Sequence, residues 1–186
     1  MKKIKLFSDV CMISPKLIND ERGFFSEDYN KKKFDEIGIK DNFIQDNISF
    51  SKQKNTIRGL HFQRKPFEQS KLIKVIQGSI FDVFIDLRKN SKYYQQYDSC
   101  FLKPNDGWVY IPAGFAHGFC TLENDTIVSY KVNNYYNKNL DSGILWSDPF
   151  FSINWPLEIK EPVISEKDTN LPIWEIIKEI EEDYSE

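Results

Sequence analysis

The sequence predicts an all-β fold, a sandwich or a barrel. Three observations carry this. Short apolar runs of strand length recur along most of the chain, and turn-forming residues separate them at close spacing. The composition is also rich in aromatic residues, with 15 Phe and 9 Tyr, and such side chains suit pleated surfaces. A length of 186 residues predicts one domain, 1–186, around a single core.

The elements follow in order. Residues 4–7 and 10–13 read as strands, the second ended by Pro15. Residues 19–23 form a polar turn, followed by Phe24 and Phe25. Residues 30–39 have helical character, with Phe34 and Ile37 three apart and Gly38 near the end. Residues 44–49 return to strand, and a polar stretch leads into a strand over 57–62. Two β-rich runs, 72–77 and 80–87, flank Gly78-Ser79, which reads as a two-residue hairpin. In the second run Phe81, Val83, Ile85 and Leu87 share one face, and Ile80, Asp82, Phe84 and Asp86 the other. After a tyrosine-rich loop come short strands at 100–102 and 108–112, with Pro104-Asn105-Asp106-Gly107 as a turn between them. Residues 126–132 form another strand, with Thr126, Val128, Tyr130 and Val132 on one face. Residues 144–149 and 153–156 are short segments containing Trp. An amphipathic helix ends the chain at about 172–183, with Ile173, Ile176, Ile177 and Ile180 on one stripe.

Composition excludes several classes. The formal net charge is -3 and no basic stripe exists, which argues against nucleic acid as a partner, since phosphate neutralisation needs clustered Lys and Arg. A nucleotide needs only a few placed cations and stays open. No apolar run is long enough for a signal peptide or a membrane span. Cys11, Cys100 and Cys120 fit neither a disulfide framework nor a metal spacing, so they read as small buried residues in a reducing cytoplasm. No glycine-rich phosphate loop or dinucleotide pattern appears. A small ligand in the mouth of the β-structure is the remaining expectation.

Chemistry concentrates in residues 58–88 and 112–119. The only two histidines stand there: His61 after Arg58-Gly59-Leu60, ten residues before Lys71, and His117 in a glycine-flanked turn. Strict strand alternation would put Arg58 and His61 on opposite faces, whereas a bulge at Gly59 would turn both inward.

Several motifs together carry a family resemblance. Arg58-Gly59-Leu60-His61-Phe62-Gln63, Gln69-Ser70-Lys71-Leu72, Gly114-Phe115-Ala116-His117-Gly118-Phe119, Tyr130-Lys131, Tyr135-Tyr136, Trp146-Ser147-Asp148-Pro149, Trp155-Pro156 and Ser165-Glu166-Lys167-Asp168 resemble the dTDP-4-dehydrorhamnose 3,5-epimerases. So do the upstream Asp20-Glu21-Arg22-Gly23-Phe24-Phe25 and Gln45-Asp46-Asn47. The resemblance runs from about residue 10 to 172. It implies a cupin-like jelly-roll β-sandwich with short peripheral helices and the C-terminal helix. It also implies a homodimer and a nucleotide-linked 4-keto-6-deoxy sugar as substrate, with no metal or organic cofactor. The loop after Asp86-Leu87-Arg88 departs from the family pattern, reading Lys92-Tyr93-Tyr94-Gln95.

The resemblance also implies roles. A ketone at carbon 4 acidifies the hydrogens on carbons 3 and 5, and epimerisation then needs a base, an oxyanion partner and an acid on the opposite face. His61 would be the base, Asp168 its orienting carboxylate, Tyr130 the acid and Lys71 the oxyanion partner. Arg58, His117, Gln45, Asn47 and Tyr135 would hold the substrate, and Arg22 and Glu27 would do so across the dimer interface. A relative that inverts only carbon 3 or only carbon 5 is the alternative. A metal-dependent cupin would need a cluster of ligands, and no His-x-His pair exists here.

Overall fold

The structure, a computed structural model, describes residues 1–157 and 161–183. The chain runs β1 (Lys2–Phe7), β2 (Val10–Ser14), a small ribbon of β3 (Ile18–Asp20) and β4 (Gly23–Phe25), α1 (Lys31–Glu36), β5 (Gln45–Ser51) and β6 (Ile57–Gln63). It continues through β7 (Lys71–Gln77), β8 (Ile80–Asp86), β9 (Tyr97–Leu102), β10 (Trp108–Ile111), β11 (Phe115–Thr121), β12 (Thr126–Val132) and β13 (Asp141–Gly143). Two helices follow, α2 (Glu166–Thr169) and α3 (Trp174–Asp183).

Two antiparallel sheets face each other. One has the order β1-β2-β10-β7-β12-β5, the other β13-β6-β11-β8-β9. The fold is the cupin-like sandwich that the motifs imply. Alternation explains its layers, because successive side chains point to opposite faces. Val10, Ile73, Val75, Val109 and Val128 of the first sheet meet Ile80, Phe84, Phe115 and Phe119 of the second to form the inner core. Cys11, Ile13, Leu72 and Trp108 point outward and pack on Phe34 of α1 and on Ile39. On the outer side of the second sheet, Leu60, Phe62, Phe81, Val83 and Ile85 pack against Trp155, Trp174 and Ile177. β8 is therefore buried along its whole length, with the two faces divided as alternation predicts.

Sequence and structure differ in places. β7 and β8 do not form a hairpin: β7 pairs with β10 and β12, and β8 with β11 and β9. Gly78-Ser79 is instead a corner that carries the chain from one sheet to the other. Gly78 has φ +76, and a Cβ there would lie 2.3 Å from Thr126 Oγ1, so only glycine fits the corner. The polar turn at 19–23 closes the β3–β4 ribbon, and the helix near residue 30 is shorter than expected, capped by the Asn30 side chain. β11, β13 and α2 were not anticipated: residues 115–121, read as a glycine-flanked turn around His117, form a buried strand, because Gly118 continues the β pairing instead of ending it, whereas β13 and α2, at three and four residues, are too short to show a period. Among the described side chains of α3, Trp174 and Ile177 are buried and Ile176 is 51% exposed; the side chain of Ile180 lies outside the described residues. Cys11 and Cys120 are buried as expected, while Cys100 is partly exposed.

Phe84 is fully buried between the sheets. Phe84→Ala is expected to destabilise the fold by about 3–5 kcal/mol through lost burial and a residual cavity, read as a lower midpoint in urea denaturation.

Candidate active site

The site is built on the inner faces of both sheets, and β6 supplies its irregularity. Gly59 has φ +105, and a Cβ there would lie 2.7 Å from the His117 carbonyl oxygen and 2.8 Å from Gly118 Cα. The pairing of β6 with β11 shifts register between His117 and Phe119. This bulge is the one required for Arg58 and His61 to face the same space. Both line a cavity of about 540 Å³ between the sheets, together with Lys71, His117, Tyr130 and Asp168.

His61 is oriented by Asp168. Their closest approach is 2.7 Å between Nε2 and Oδ1, and the second carboxylate oxygen accepts the Gly59 N–H at 3.0 Å. The carboxylate is only 4% exposed. Burial pushes the Asp168 carboxyl up, yet the hydrogen bonds from His61 and the Gly59 N–H outweigh it and hold the group below its ordinary range. An ionised carboxylate only accepts, so His61 Nε2 carries the proton and Nδ1 keeps the free lone pair. Asp168 is placed by α2: Ser165 caps the helix, its hydroxyl accepting the Asp168 N–H at 3.1 Å.

A second imidazole–carboxylate pair lies beside the first. His117 stands directly opposite His61 across β11 and β6, and its Nε2 lies 2.7 Å from Asp82 Oδ1. Both residues are buried. Burial lowers the His117 pKa, outweighing the pull of Asp82, and the nearby Lys71 and His61 act in the same direction. His117 is therefore a neutral hydrogen-bond donor at neutral pH.

From the facing sheet, Lys71 begins β7 and directs its ammonium toward the His61 carbonyl oxygen, at 3.4 Å. Burial lowers its pKa to about 8, against the opposing attraction of Asp141 and Asp82. Tyr130 extends from β12, opposite Ile73 of β7 and Asn47 of β5. Burial raises its phenol pKa, with Arg58 pulling the other way, so the hydroxyl stays protonated at neutral pH. Arg58 bridges from β6 to β5, donating to Ser51 Oγ at 3.0 Å and to the Phe50 carbonyl oxygen at 2.8 Å. The cavity thus holds an oriented imidazole, an ammonium and a neutral phenol. Together these can remove a proton, meet an oxyanion and deliver a proton.

The structure brings His61, Asp168, Lys71, Tyr130, Arg58 and His117 together. It does not bring the other candidates into the cavity of this single chain. Arg22 lies in the β3–β4 turn with its side chain 84% exposed, paired with Asp20. Glu27 pairs with Lys33 at 2.7 Å. The Gln45 amide donates to Asn47 Oδ1 at 2.9 Å on β5, and Tyr135 is exposed. Sequence reading missed Asp82, Asp141 and Lys167. Lys167 lines the cavity and pairs with Asp141. The signal for Asp82 was available, since a carboxylate inside an otherwise apolar strand needs a partner. Among the described residues, no three His, Cys, Asp or Glu side chains gather so as to hold a metal ion. No helix among them is long and apolar enough to cross a membrane.

The sequence profile of the dTDP-4-dehydrorhamnose 3,5-epimerase family matches residues 5–175. The dTDP-4-dehydrorhamnose 3,5-epimerase of Methanothermobacter thermautotrophicus is 47% identical over 90% of this chain and 89% of its own length. That of Shigella flexneri is 44% identical over 87% of this chain and 89% of its own. Among solved structures, the Bacillus anthracis enzyme with TDP and PPi bound superposes with a TM-score of 0.89 at 48% identity, covering 92% of this chain and 98% of its own. The Legionella pneumophila enzyme in complex with dTDP-4-keto-L-rhamnose gives a TM-score of 0.88 at 37% identity, covering 95% of this chain and 94% of its own.

The depressed pKa of Lys71 makes a prediction with a definite sign. A lysine with a folded pKa near 8 and a higher unfolded one destabilises the fold below that pH. The penalty shrinks as pH rises toward the unfolded value. Lys71→Met is expected to stabilise the fold by about 1–3 kcal/mol at pH 7, with the gain fading above pH 10 in denaturant titrations.

Proposed function

This chain belongs to the dTDP-4-dehydrorhamnose 3,5-epimerase family, and we propose that it converts dTDP-4-dehydro-6-deoxy-D-glucose into dTDP-4-dehydro-L-rhamnose. The reaction inverts carbons 3 and 5 next to the carbon 4 ketone. The observation that carries this reading is the oriented His61–Asp168 pair facing a cavity that also holds Lys71 and Tyr130.

The steps balance without an electron acceptor or donor. His61 Nδ1 takes the proton from the carbon beside the ketone, and the bonding pair delocalises to the carbon 4 oxygen. Asp168 stabilises the imidazolium that forms, through the hydrogen bond already made to Nε2. The Lys71 ammonium meets the enolate oxygen, where a placed positive charge counts most as negative charge develops. Tyr130 donates its phenolic proton to the opposite face, and solvent exchange restores both groups. The raised phenol pKa keeps the acid charged with its proton beforehand. The same cycle serves the second carbon. His117, held neutral against Asp82, and Arg58 would hydrogen-bond the sugar and diphosphate.

In this reading the nucleotide projects from the cavity, and the remaining candidates would hold it. Gln45 and Asn47 on β5 and the exposed Tyr135 would hold it, the tyrosine by stacking on the base. We read the working form as a homodimer, in which Arg22 and Glu27 reach the site of the other protomer. The exposure of Arg22 and of Phe24 and Phe25 in the same ribbon supports this, since exposed aromatic side chains in a cluster suit an interface.

In deuterated water with the keto-sugar nucleotide, proton NMR is expected to show deuterium entering both carbon 3 and carbon 5. His61→Ala should slow both exchanges by about 10²–10⁴-fold, the usual contribution of a placed base. Label at one carbon alone would instead identify a single-site epimerase. Label at neither, with an intact fold, would refute proton abstraction from this substrate. Arg22→Ala is expected to raise KM by about tenfold with kcat little changed, as for a residue that binds ground and transition states alike, in steady-state assays.

A further inference from the structure

We propose that Asp41, which does not line the reaction cavity, is a positioning residue that fixes where the Lys71 ammonium stands. Its consequence for catalysis rests on the oxyanion role proposed above for Lys71.

Lys71 needs such support. It is the first residue of β7, and its neighbours across the sheet, Ile111 and Val132, are the last residues of β10 and β12. Three strands therefore end together at this point, and strand ends are where local opening costs least. Among the described residues the Lys71 ammonium pairs with no carboxylate. It makes a long contact to the His61 carbonyl oxygen, at 3.4 Å. The side chain does little to anchor itself, so its place depends on the backbone that enters β7.

That backbone is held by a polar cluster around Asp41, in the segment between α1 and β5. Ser70, the residue before Lys71, is 2% exposed. Its hydroxyl donates to Asp41 Oδ1 at 3.0 Å and accepts the Ala113 N–H at 3.0 Å. The Ser70 N–H donates to Asn133 Oδ1 at 2.7 Å, and the Asn133 amide donates in turn to Asp41 Oδ1 at 2.8 Å. The Tyr110 hydroxyl donates to Asp41 Oδ2 at 2.6 Å. Burial and Asp41 together raise the Tyr110 phenol pKa, which keeps that hydroxyl a donor. One carboxylate thus gathers donors from the entry to β7, the exit from β12 and a residue of β10. The Asp41 segment is itself tied down, because the Ile44 N–H donates to the Val132 carbonyl oxygen at 2.9 Å. A polar network whose members are all satisfied is rigid. Without Asp41, the Ser70 and Tyr110 hydroxyls and the Asn133 amide lose their shared acceptor. β7 would then start loosely where the ammonium has to be placed, and a misplacement of about 1 Å is enough to cost roughly 10²-fold in rate.

Lysine NMR reads the place of Lys71 directly, in full-length protein carrying ¹³C at lysine Cε and titrated with pH. Lys71→Met assigns the signal by its loss. In the wild type the signal is expected to titrate near pH 8. In Asp41→Ala it should titrate about one unit higher, as the ammonium leaves its buried place for water or for Asp82 or Asp141 nearby. Loss of the Asp41 charge acting through space would lower the value instead, so the sign separates position from field. Asp41→Asn should behave as the wild type, because its amide oxygen can accept from Ser70 and Asn133 while its NH₂ donates to the Tyr110 hydroxyl. In steady-state assays kcat should fall by about 10–100-fold in Asp41→Ala and recover in Asp41→Asn. It should be no lower in Asp41→Ala/Lys71→Met than in Lys71→Met alone. Ser70→Ala breaks the same link and should raise the Lys71 titration as well, which decides the matter if Asp41→Ala does not fold. An unchanged or lowered titration in the folded variants would overturn the proposal. So would a further fall in kcat when Asp41→Ala is added to Lys71→Met. If Lys71→Met instead turned over like the wild type, the oxyanion role would fail, while the titration would still show whether Asp41 places the side chain.

Discussion

Asp168 accepts hydrogen bonds from two groups on the same strand, the Gly59 N–H and the His61 ring. A buried carboxylate is costly without such partners, so α2 and the bulged start of β6 can only be satisfied together. The bulge needs a glycine, because the His117 carbonyl and Gly118 occupy the space of a side chain. From this one requirement follow the inward turn of Arg58, the direction of His61 and the tautomer that leaves Nδ1 free. The C-terminal segment thereby becomes part of the site, although it is distant in sequence from the histidine it serves.

The rest of the site is an exercise in keeping unlike charges apart and usable. Lys71 lies in the field of Asp82 and Asp141, yet neither takes it as a close ion-pair partner: Asp82 is engaged by His117 and Asp141 by Lys167. The ammonium is left with a long contact to a backbone carbonyl. A cation so weakly satisfied is a liability for folding and, in the reaction proposed above, an advantage, because an enolate oxygen would find it nearly unpaired. Tyr130 is treated in the opposite sense. Burial raises its pKa and keeps it neutral, and the nearby Arg58 guanidinium pulls the other way.

Much of this was legible in the residues, and the failures have physical causes. The division of β8 into two faces followed from alternation alone. So did the inward direction of Tyr130 with Val128 and Val132. The relation between Arg58 and His61 could not be settled by pattern, because alternation and a bulge give opposite answers, and only the packing of Gly59 on Gly118 decides. The misread hairpin at Gly78-Ser79 shows a similar limit: a glycine turn between two apolar strands serves a hairpin or a sheet-to-sheet corner equally well. What distinguishes them is which strands pair, and that is a long-range property. Asp82 escaped notice as a site residue because its partner, His117, is remote in sequence. The α3 stripe held at Ile177 and failed at Ile176, which is exposed, because the buried face also takes in Trp174, packed on Tyr94 and Phe151, a role that no isoleucine period reveals.

The Gly78 corner bears on how such a site can change over time. It joins the strand of Lys71 to the strand of Asp82, and Val75 and Ile80 on either side of it are buried in the inner core. The two facing sheets are thus tethered at a corner where a side chain on residue 78 would collide with Thr126. Bulk is accommodated more easily where side chains are exposed, as at Ile48 and Phe50 of β5, at Phe24 and Phe25 of the β3–β4 ribbon and at Tyr135. Substitutions there would change what the surface meets while His61, Lys71 and Tyr130 keep their places between the sheets.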